Sequence, residues 1–313
     1  MILSTLGALR APALLLSSLL IALALASCGD SGSSGGDGVV VVGTTTQVGD
    51  LLRQVGGGRA DVRQILRPNS DPHDYEPRPS DVKGLAEAQL VVRSGGEVDD
   101  WLDELVDSAG SDAPVLTLID RVHTRRDGDD VDPHWWQDPR NAELAVAAIR
   151  DRLAEADPAG AAAYRLGAAR YLARLRRLDT RAAACIERIP TRGRRLVTTH
   201  DALGYYADRY GLDVIGAVLP SLSTQAQPSA RDIQELVDQI ESAGVRAIYP
   251  ESSINPKLER AVARESGAKV GAALWADTLG PEGSSGATYV GSIAANTRAI
   301  VDGLTGGAVR CAP

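Results

Sequence analysis

Apolar residues fall into short runs separated by stretches of helical period, and that alternation organises the whole chain. Val39-Val40-Val41-Val42, running into Gly43 and Thr44-Thr45-Thr46, reads as a buried strand ending in a loop, and 47–55 then reads as a helix. Two further core strands are expected at 90–92 and 115–119, with helices over 81–88 and 97–108. The pattern restarts with strands at 195–199, 213–218, 247–249 and 270–274, alternating with helices over 203–210, 230–242, 256–266 and 289–304. Strands that alternate with helices predict parallel sheets, so the fold class is α/β with two units of similar size.

Between the units, 158–189 is rich in Ala, Leu and Arg, with Gly160 near its start, Gly167 within it and no interior proline. Summed propensity predicts one long rigid linker helix, roughly 45 Å at 1.5 Å per residue. Asp157-Pro158 supplies an N-cap and a proline at the first helical position, and Pro190 stops it. Tyr164, Leu172, Leu175 and Leu178 predict a packed stripe and the many arginines a solvated face; pairing with a coiled-coil partner is the alternative use. The expected organisation is an N-terminal lobe over 39–156, the linker over 157–190 and a C-terminal lobe over 191–313. Open α/β sheets bind ligands beyond the carboxyl ends of their strands, which puts the expected site in the interlobe cleft.

Residues 1–27 read differently. A short positive start, an apolar run over 11–26 too short to span comfortably and small residues at the end describe a secretory signal peptide. Leu25-Ala26-Ser27-Cys28 resembles a bacterial lipobox, which implies cleavage before Cys28 and lipidation of its thiol; an ordinary signal with an incidental Cys is the alternative. The Gly/Ser-rich 28–38 fits a flexible tether to a membrane anchor. Export leaves Cys185 and Cys311 in an oxidising compartment, where they either pair or remain buried thiols.

Composition narrows the chemistry. At 44% hydrophobic and 24% charged the 313-residue chain is of the globular type. Its net charge of −8 argues against a nucleic-acid partner, which needs a basic face to release counterions. Removing 1–27 takes away Arg10 and no acid, leaving 32 basic and 41 acidic residues, net −9. The basic residues are 30 Arg against 3 Lys, which with the absence of Phe reads as coding bias.

There are four histidines, and three fall at loops or a strand end. His73 and His134 both follow Asp-Pro, and His200 closes the run Leu196-Val197-Thr198-Thr199. Proline fixes φ just before each of the first two rings and so orients them, a rigidity from which a metal ligand gains; a lone loop histidine is otherwise a solvated or capping residue, and the recurrence of Asp-Pro-His argues against that reading. The loop segments Asp71-Pro72-His73-Asp74-Tyr75-Glu76-Pro77, Asp132-Pro133-His134-Trp135, Thr199-His200-Asp201-Ala202-Leu203-Gly204-Tyr205-Tyr206, Tyr249-Pro250-Glu251-Ser252-Ser253 and Trp275-Ala276-Asp277-Thr278-Leu279 follow in that order. Together they resemble the solute-binding proteins of zinc and manganese ABC transporters, the ZnuA/TroA type, from about residue 39 to 310.

The resemblance implies metal ligation by His73 and His134 from the first lobe and by His200 and Asp277 from the second. Three imidazoles and a carboxylate suit Zn²⁺, with Mn²⁺ as the other candidate cargo. Glu251 is expected to back a ligand histidine, and Trp135 with Trp136 to cover the site. Asp71, Asp132 and Asp201 are candidate partners for the ring nitrogens turned away from the metal. His123 lies in an acidic loop where zinc-specific relatives carry many histidines, and is expected to be an exposed loop residue. The implied partners are an ABC permease and, through Cys28, the extracytoplasmic face of the cell membrane, with the chain a monomer. Metal binding is expected to order the second-lobe loops bearing His200 and Asp277. Two other readings compete. An exported zinc hydrolase would keep a coordination position open and supply a base, yet no His-Glu-x-x-His pair or Gly-x-Ser-x-Gly elbow is present. A binding protein for a siderophore or cobalamin would share the linker helix without needing paired Asp-Pro-His loops.

Overall fold

The computed structural model describes residues 38–313, and Asp37–Pro313 forms one compact unit. The signal peptide, Cys28 and nearly all of the tether lie outside the described residues. The first lobe runs β1 (Val39–Gly43), α1 (Thr46–Gly56), β2 (Ala60–Gln64), α2 (Pro79–Ala86), β3 (Leu90–Arg93), α3 (Leu102–Ala109) and β4 (Val115–Thr117). Its strands form a parallel sheet in the order β2-β1-β3-β4. A two-stranded antiparallel ribbon, β5 (Arg126–Asp127) with β6 (Asp130–Val131), then leads into α4 (Pro139–Ala156) and α5 (Ala161–Glu187). The second lobe runs β7 (Arg195–Thr198), α6 (Gly204–Tyr210), β8 (Asp213–Ala217), α7 (Ala230–Ala243), β9 (Ala247–Tyr249), α8 (Lys257–Ser266), β10 (Lys269–Val270) and α9 (Tyr289–Thr305). Its sheet is again parallel, in the order β10-β9-β7-β8.

Three elements differ from the sequence expectation, each for a local reason. β2 is an edge strand of alternating Ala, Asp, Val, Arg and Gln, half exposed throughout, so it lacks the continuous apolar run of a central parallel strand. α4 escapes notice because its buried face mixes the small Ala142 and Ala145 and the polar Asn141 with only three large apolar residues, Val146, Ile149 and Leu153, yet Asp138-Pro139 starts it by the same cap-and-proline device that precedes α5. The strand expected over 270–274 shrinks to β10, with only Leu274 bridging back to Glu251.

The long helix is 27 residues, about 40 Å, preceded by a 3₁₀ turn at Pro158–Gly160 that Asp157 caps. Its buried positions Tyr164, Ala168, Tyr171, Leu175, Leu178, Ala182 and Cys185 step by four and three, the spacing of a coiled-coil seam. The partner helix is internal: α4 folds back on α5, and α1 and α9 pack on it as well. One buried cluster therefore runs from Val41 and Leu51 in the first lobe through Leu175 and Ile186 to Tyr249 and Ile300 in the second. Gly167 belongs to this packing, since a Cβ there would strike the Val55 carbonyl at the end of α1.

Cys185 at the end of α5 is bonded to Cys311, with Cα atoms 5.7 Å apart, and pins the C-terminal tail. The bridge spans 126 residues of sequence, so it removes considerable freedom from the unfolded chain. Replacing both cysteines with serine is expected to cost about 2–4 kcal/mol of stability and to leave metal binding unchanged. Calorimetric melting with and without the replacement measures it, and an unchanged Tm would show that the bridge contributes nothing.

Candidate metal site

The loops beyond the carboxyl ends of the strands carry the site. In the second lobe the chain leaves β7 to one side for β8 and returns on the other side as β9, and His200 and Glu251 follow those two central strands by two residues each. This is the switch point at which open sheets bind ligands. His73 lies in a 3₁₀ turn at Pro72–Asp74, whose cap Asp71 accepts from the His73 backbone N–H at 2.9 Å. His134 precedes a second such turn, with its own N–H donated to Asp132 at 2.9 Å. The two Asp-Pro-His tripeptides thus build the same local device twice.

His73, His134, His200 and Asp277 converge, each offering one ligand atom, with all four atoms within 4.8 Å of one another. Nε2 of His200 faces Nε2 of His134 at 3.3 Å. Asp277 presents Oδ2 to His73 Nε2 at 3.3 Å and to His200 Nε2 at 3.1 Å, and Oδ1 to His134 Nε2 at 3.4 Å. Donors held about 2.0–2.1 Å from a tetrahedral Zn²⁺ lie about 3.3 Å from one another, so the spacing is that of an ion's donor shell. The polar atoms agree: His73 Nε2 and both Asp277 oxygens are buried with no hydrogen-bond partner. Buried lone pairs left facing each other are costly, and a cation at their centre satisfies all of them.

Behind these atoms lies a supporting layer. His134 Nδ1 is 2.8 Å from Asp132 Oδ1, and Asp132 Oδ2 accepts from Arg125 at 2.8 Å. His200 Nδ1 is 2.5 Å from Glu251 Oε1. Each carboxylate holds the proton on Nδ1 and leaves the Nε2 lone pair aimed at the centre. Of the three aspartates expected to play this part, only Asp132 reaches a ring. Asp71 bonds the His73 backbone and the Thr224 hydroxyl instead, and Asp201 donates its backbone N–H to Ser221. Glu251 serves His200. The tryptophans divide: the Trp135 indole bonds Ser94 beyond β3, while Trp136 meets the His134 ring edge-on with centroids 5.4 Å apart. His123 is exposed and outside the cluster, its backbone bonded to Asn141.

The segment bearing Asp277 belongs to the second lobe but is held by the first. The Ala276 carbonyl accepts from the Trp136 indole at 2.9 Å and from Gln137 at 2.7 Å. Two residues beyond Asp277, the Leu279 N–H donates to Thr46 and its carbonyl accepts from the Asn69 N–H, both at 2.8 Å. Asn69 has φ of 62°, a left-handed conformation that Asn tolerates. Tyr205 on α6 likewise donates to the Asp132 carbonyl at 2.8 Å, and Arg125 on the His134 loop pairs with Asp208 of α6. Gln137, Thr46, Asn69 and Tyr205 are the site residues that the sequence reading missed. A buried amide directly after a Trp pair was the one available signal.

Protonation follows from this crowding. Burial alone would lower the His200 imidazole, but the charges of Glu251 and Asp277 hold it well above its ordinary value. His73 is raised as well, with Asp277 outweighing burial. Burial would raise the Asp277 carboxyl, yet His200 and His134 hold it well below the usual range. Burial raises Glu251 despite the His200 charge beside it. The neighbouring carboxylates thus favour positive charge on His200 and His73 when no cation is bound.

Residues 41–303 match the family described as zinc-uptake complex component A, periplasmic. The chain is 31% identical to the manganese-binding lipoprotein MntA of Halalkalibacterium halodurans, across 92% of this chain and 96% of that one. It is 31% identical to the high-affinity zinc uptake system protein ZnuA of Paracoccus denitrificans, across 77% and 82%, and 30% identical to the iron-binding protein YfeA of Yersinia pestis, across 84% and 86%. Among solved structures, the periplasmic zinc-binding protein TroA of Treponema pallidum superposes with a TM-score of 0.80 at 27% identity, covering 85% of this chain and 99% of that one.

Replacing Asp277 with Asn removes the charge that favours both imidazolium rings, so the pKa values of His200 and His73 should fall in metal-free protein. Histidine-resolved NMR titration of wild type and Asp277→Asn measures this, and identical titration curves would refute the electrostatic account.

Proposed function

The chain belongs to the zinc-uptake complex component A family, and on that premise we propose that it is the substrate-binding protein of a metal ABC transporter. It binds one divalent transition-metal ion outside the cytoplasm and passes it to a membrane permease. The observation that carries this reading is the convergence of His73, His134, His200 and Asp277 with their buried atoms unpartnered. We assign these four as the ligands, with Asp132 and Glu251 fixing two of the rings. Zn²⁺ is the favoured cargo because the set is rich in imidazole nitrogen, and Mn²⁺ is the second candidate.

The membrane link runs through Cys28, lipidated after removal of residues 1–27, and the protein acts as a monomer with no catalytic step of its own. Relatives named as lipoproteins support the anchor, and no helix among the described residues is long and apolar enough to cross a membrane. The domain reading is two lobes, 39–156 and 191–313, around a helical spine at 157–190. A hydrolase would need a vacant coordination position with a base beside it, whereas all four side chains here close on one point. A siderophore or cobalamin would need room that donors 3.1–3.4 Å apart do not leave.

Only neutral imidazole coordinates, and the metal-free rings of His73 and His200 hold protons above their ordinary pKa. Binding near neutral pH therefore releases protons, and affinity falls as pH falls. Calorimetry in buffers of different ionisation enthalpy should give one Zn²⁺ per chain, at least one proton released, and weaker binding at about pH 5.5 than at pH 7.5. His134→Ala should abolish tight binding, while Glu251→Gln, which leaves the ligands in place, should cost about 10–100-fold. Wild-type protein that binds no divalent metal tightly would overturn the proposal.

A further inference from the structure

The exposed side of α5 carries a feature that metal binding does not use. Arg170, Arg174, Arg177, Arg181 and the capping residue Arg188 are all exposed. Their spacing of 4, 3, 4 and 7 puts them within an arc of about 60° at 100° per residue, on a line about 27 Å long. Leu166, which is 52% exposed, and Ala173 and Ala184 share that side of the helix. The two acids of α5 point elsewhere: Asp179 is held by Arg209, and Glu187 lies about a quarter-turn away. None of the five arginines joins an ion pair among the described residues, whereas Arg176 on the adjacent row pairs with Glu143. Two of them donate to neutral groups, Arg174 to Gln54 at 3.2 Å and Arg188 to the Arg310 carbonyl at 2.6 Å, which restrains the side chains without cancelling their charge. In a chain of net charge −8 this is a concentrated and uncompensated basic line.

The position of the N-terminus says what could meet it. Gly38, the first described residue, abuts the Arg59 carbonyl, and the Arg59 side chain is bonded at 2.6 Å to Asp157, which caps the turn that starts α5. Arg59, Leu166, Arg170 and Arg174 line one groove of about 490 Å³. The chain therefore enters the fold at the end of α5 where the arginine line begins. Cys28 and Gly38 are ten residue steps apart, a connection that cannot exceed about 35 Å. An anchor at Cys28 consequently keeps this end of α5 close to the lipid surface, which raises the effective concentration of headgroups around it.

We propose that the arginine face of α5 is a docking surface for the anionic phosphate headgroups of the membrane to which the chain is anchored. Guanidinium groups match phosphate geometry, and basic residues near an anionic surface contribute additively. Leu166 adds apolar contact at the end nearest the anchor. The inference rests on the membrane-anchored reading above, but its test does not.

Residues 28–313 carrying Cys28→Ser, which removes any acyl chain, are mixed with phosphatidylcholine vesicles with and without about one-third phosphatidylglycerol. Cosedimentation should be at least about tenfold greater with the anionic vesicles and should vanish at about 0.5 M salt. The quadruple variant Arg170→Gln, Arg174→Gln, Arg177→Gln and Arg181→Gln should lose this preference while keeping wild-type Tm and Zn²⁺ stoichiometry. Equal binding of wild type to both vesicle types, or an undiminished preference in the variant, overturns the proposal. So does a wild type that ignores lipid while a permease complex retains it through these arginines, since the surface would then serve a protein partner. Detergent phase partition of the natural chain reads the acylation of Cys28 separately, so failure of the anchor and failure of the docking surface are distinguishable.

Discussion

Four electron-rich atoms held face to face are the constraint around which this protein is arranged. Three imidazole nitrogens and a carboxylate within 4.8 Å repel one another unless a positive charge lies among them. The carboxylates at Asp132 and Glu251 keep the rings turned inward, and the helical turns after Asp71 and Asp132 set two of them in place. Without that layer the histidines would rotate to solvent or to backbone partners. The pocket's tendency to gather protons and its fitness for a metal ion are one property seen under two conditions.

The same constraint explains the connections between the lobes. Asp277 must face rings from both sheets, and four hydrogen bonds around it fasten its segment to Trp136, Gln137, Thr46 and Asn69 of the first lobe. The α5 spine adds a continuous apolar cluster from one sheet to the other. A molecule joined at both its spine and its mouth closes by small local shifts, since wide rotation would break a packed core. The loop with His200 is tied chiefly within its own lobe, through Thr198, Glu251 and Ser221. His200 is thus held from its own lobe, whereas the Asp277 segment is held from the first. That separates two loops which the sequence had suggested would be ordered together.

Much of this was legible in the chain. Central strands announce themselves as continuous apolar runs because both faces are covered, and the long helix through its alanines and leucines and its cap. The two Asp-Pro-His tripeptides mark two of the four converging side chains, and proline restricts the backbone at the same offset from each ring. Strand β2 was not legible, because an edge strand with polar faces leaves no apolar run, nor was α4, whose buried Ala and Asn positions dilute its hydrophobic signal. The Trp136 and Gln137 contacts with Ala276 join residues about 140 apart in sequence, and nothing in a local pattern encodes such a meeting. The different roles of Trp135 and Trp136, whose rings touch edge-on, follow from where each indole N–H reaches, Ser94 after β3 for one and the Ala276 carbonyl for the other.

The unpartnered oxygens of Asp277 carry one more consequence. A carboxylate whose two oxygens both face the cargo can engage it through one or through both, so the donor count shifts from four to five with no backbone movement. Four donors suit the tetrahedral habit of Zn²⁺, and a higher count accommodates ions that prefer fuller coordination. Such a pocket is elastic in denticity and does little to reject an ion by shape. Discrimination then falls to the intrinsic order of metal affinities and to the free concentrations outside the cell, which makes the organism's surroundings part of the selectivity filter.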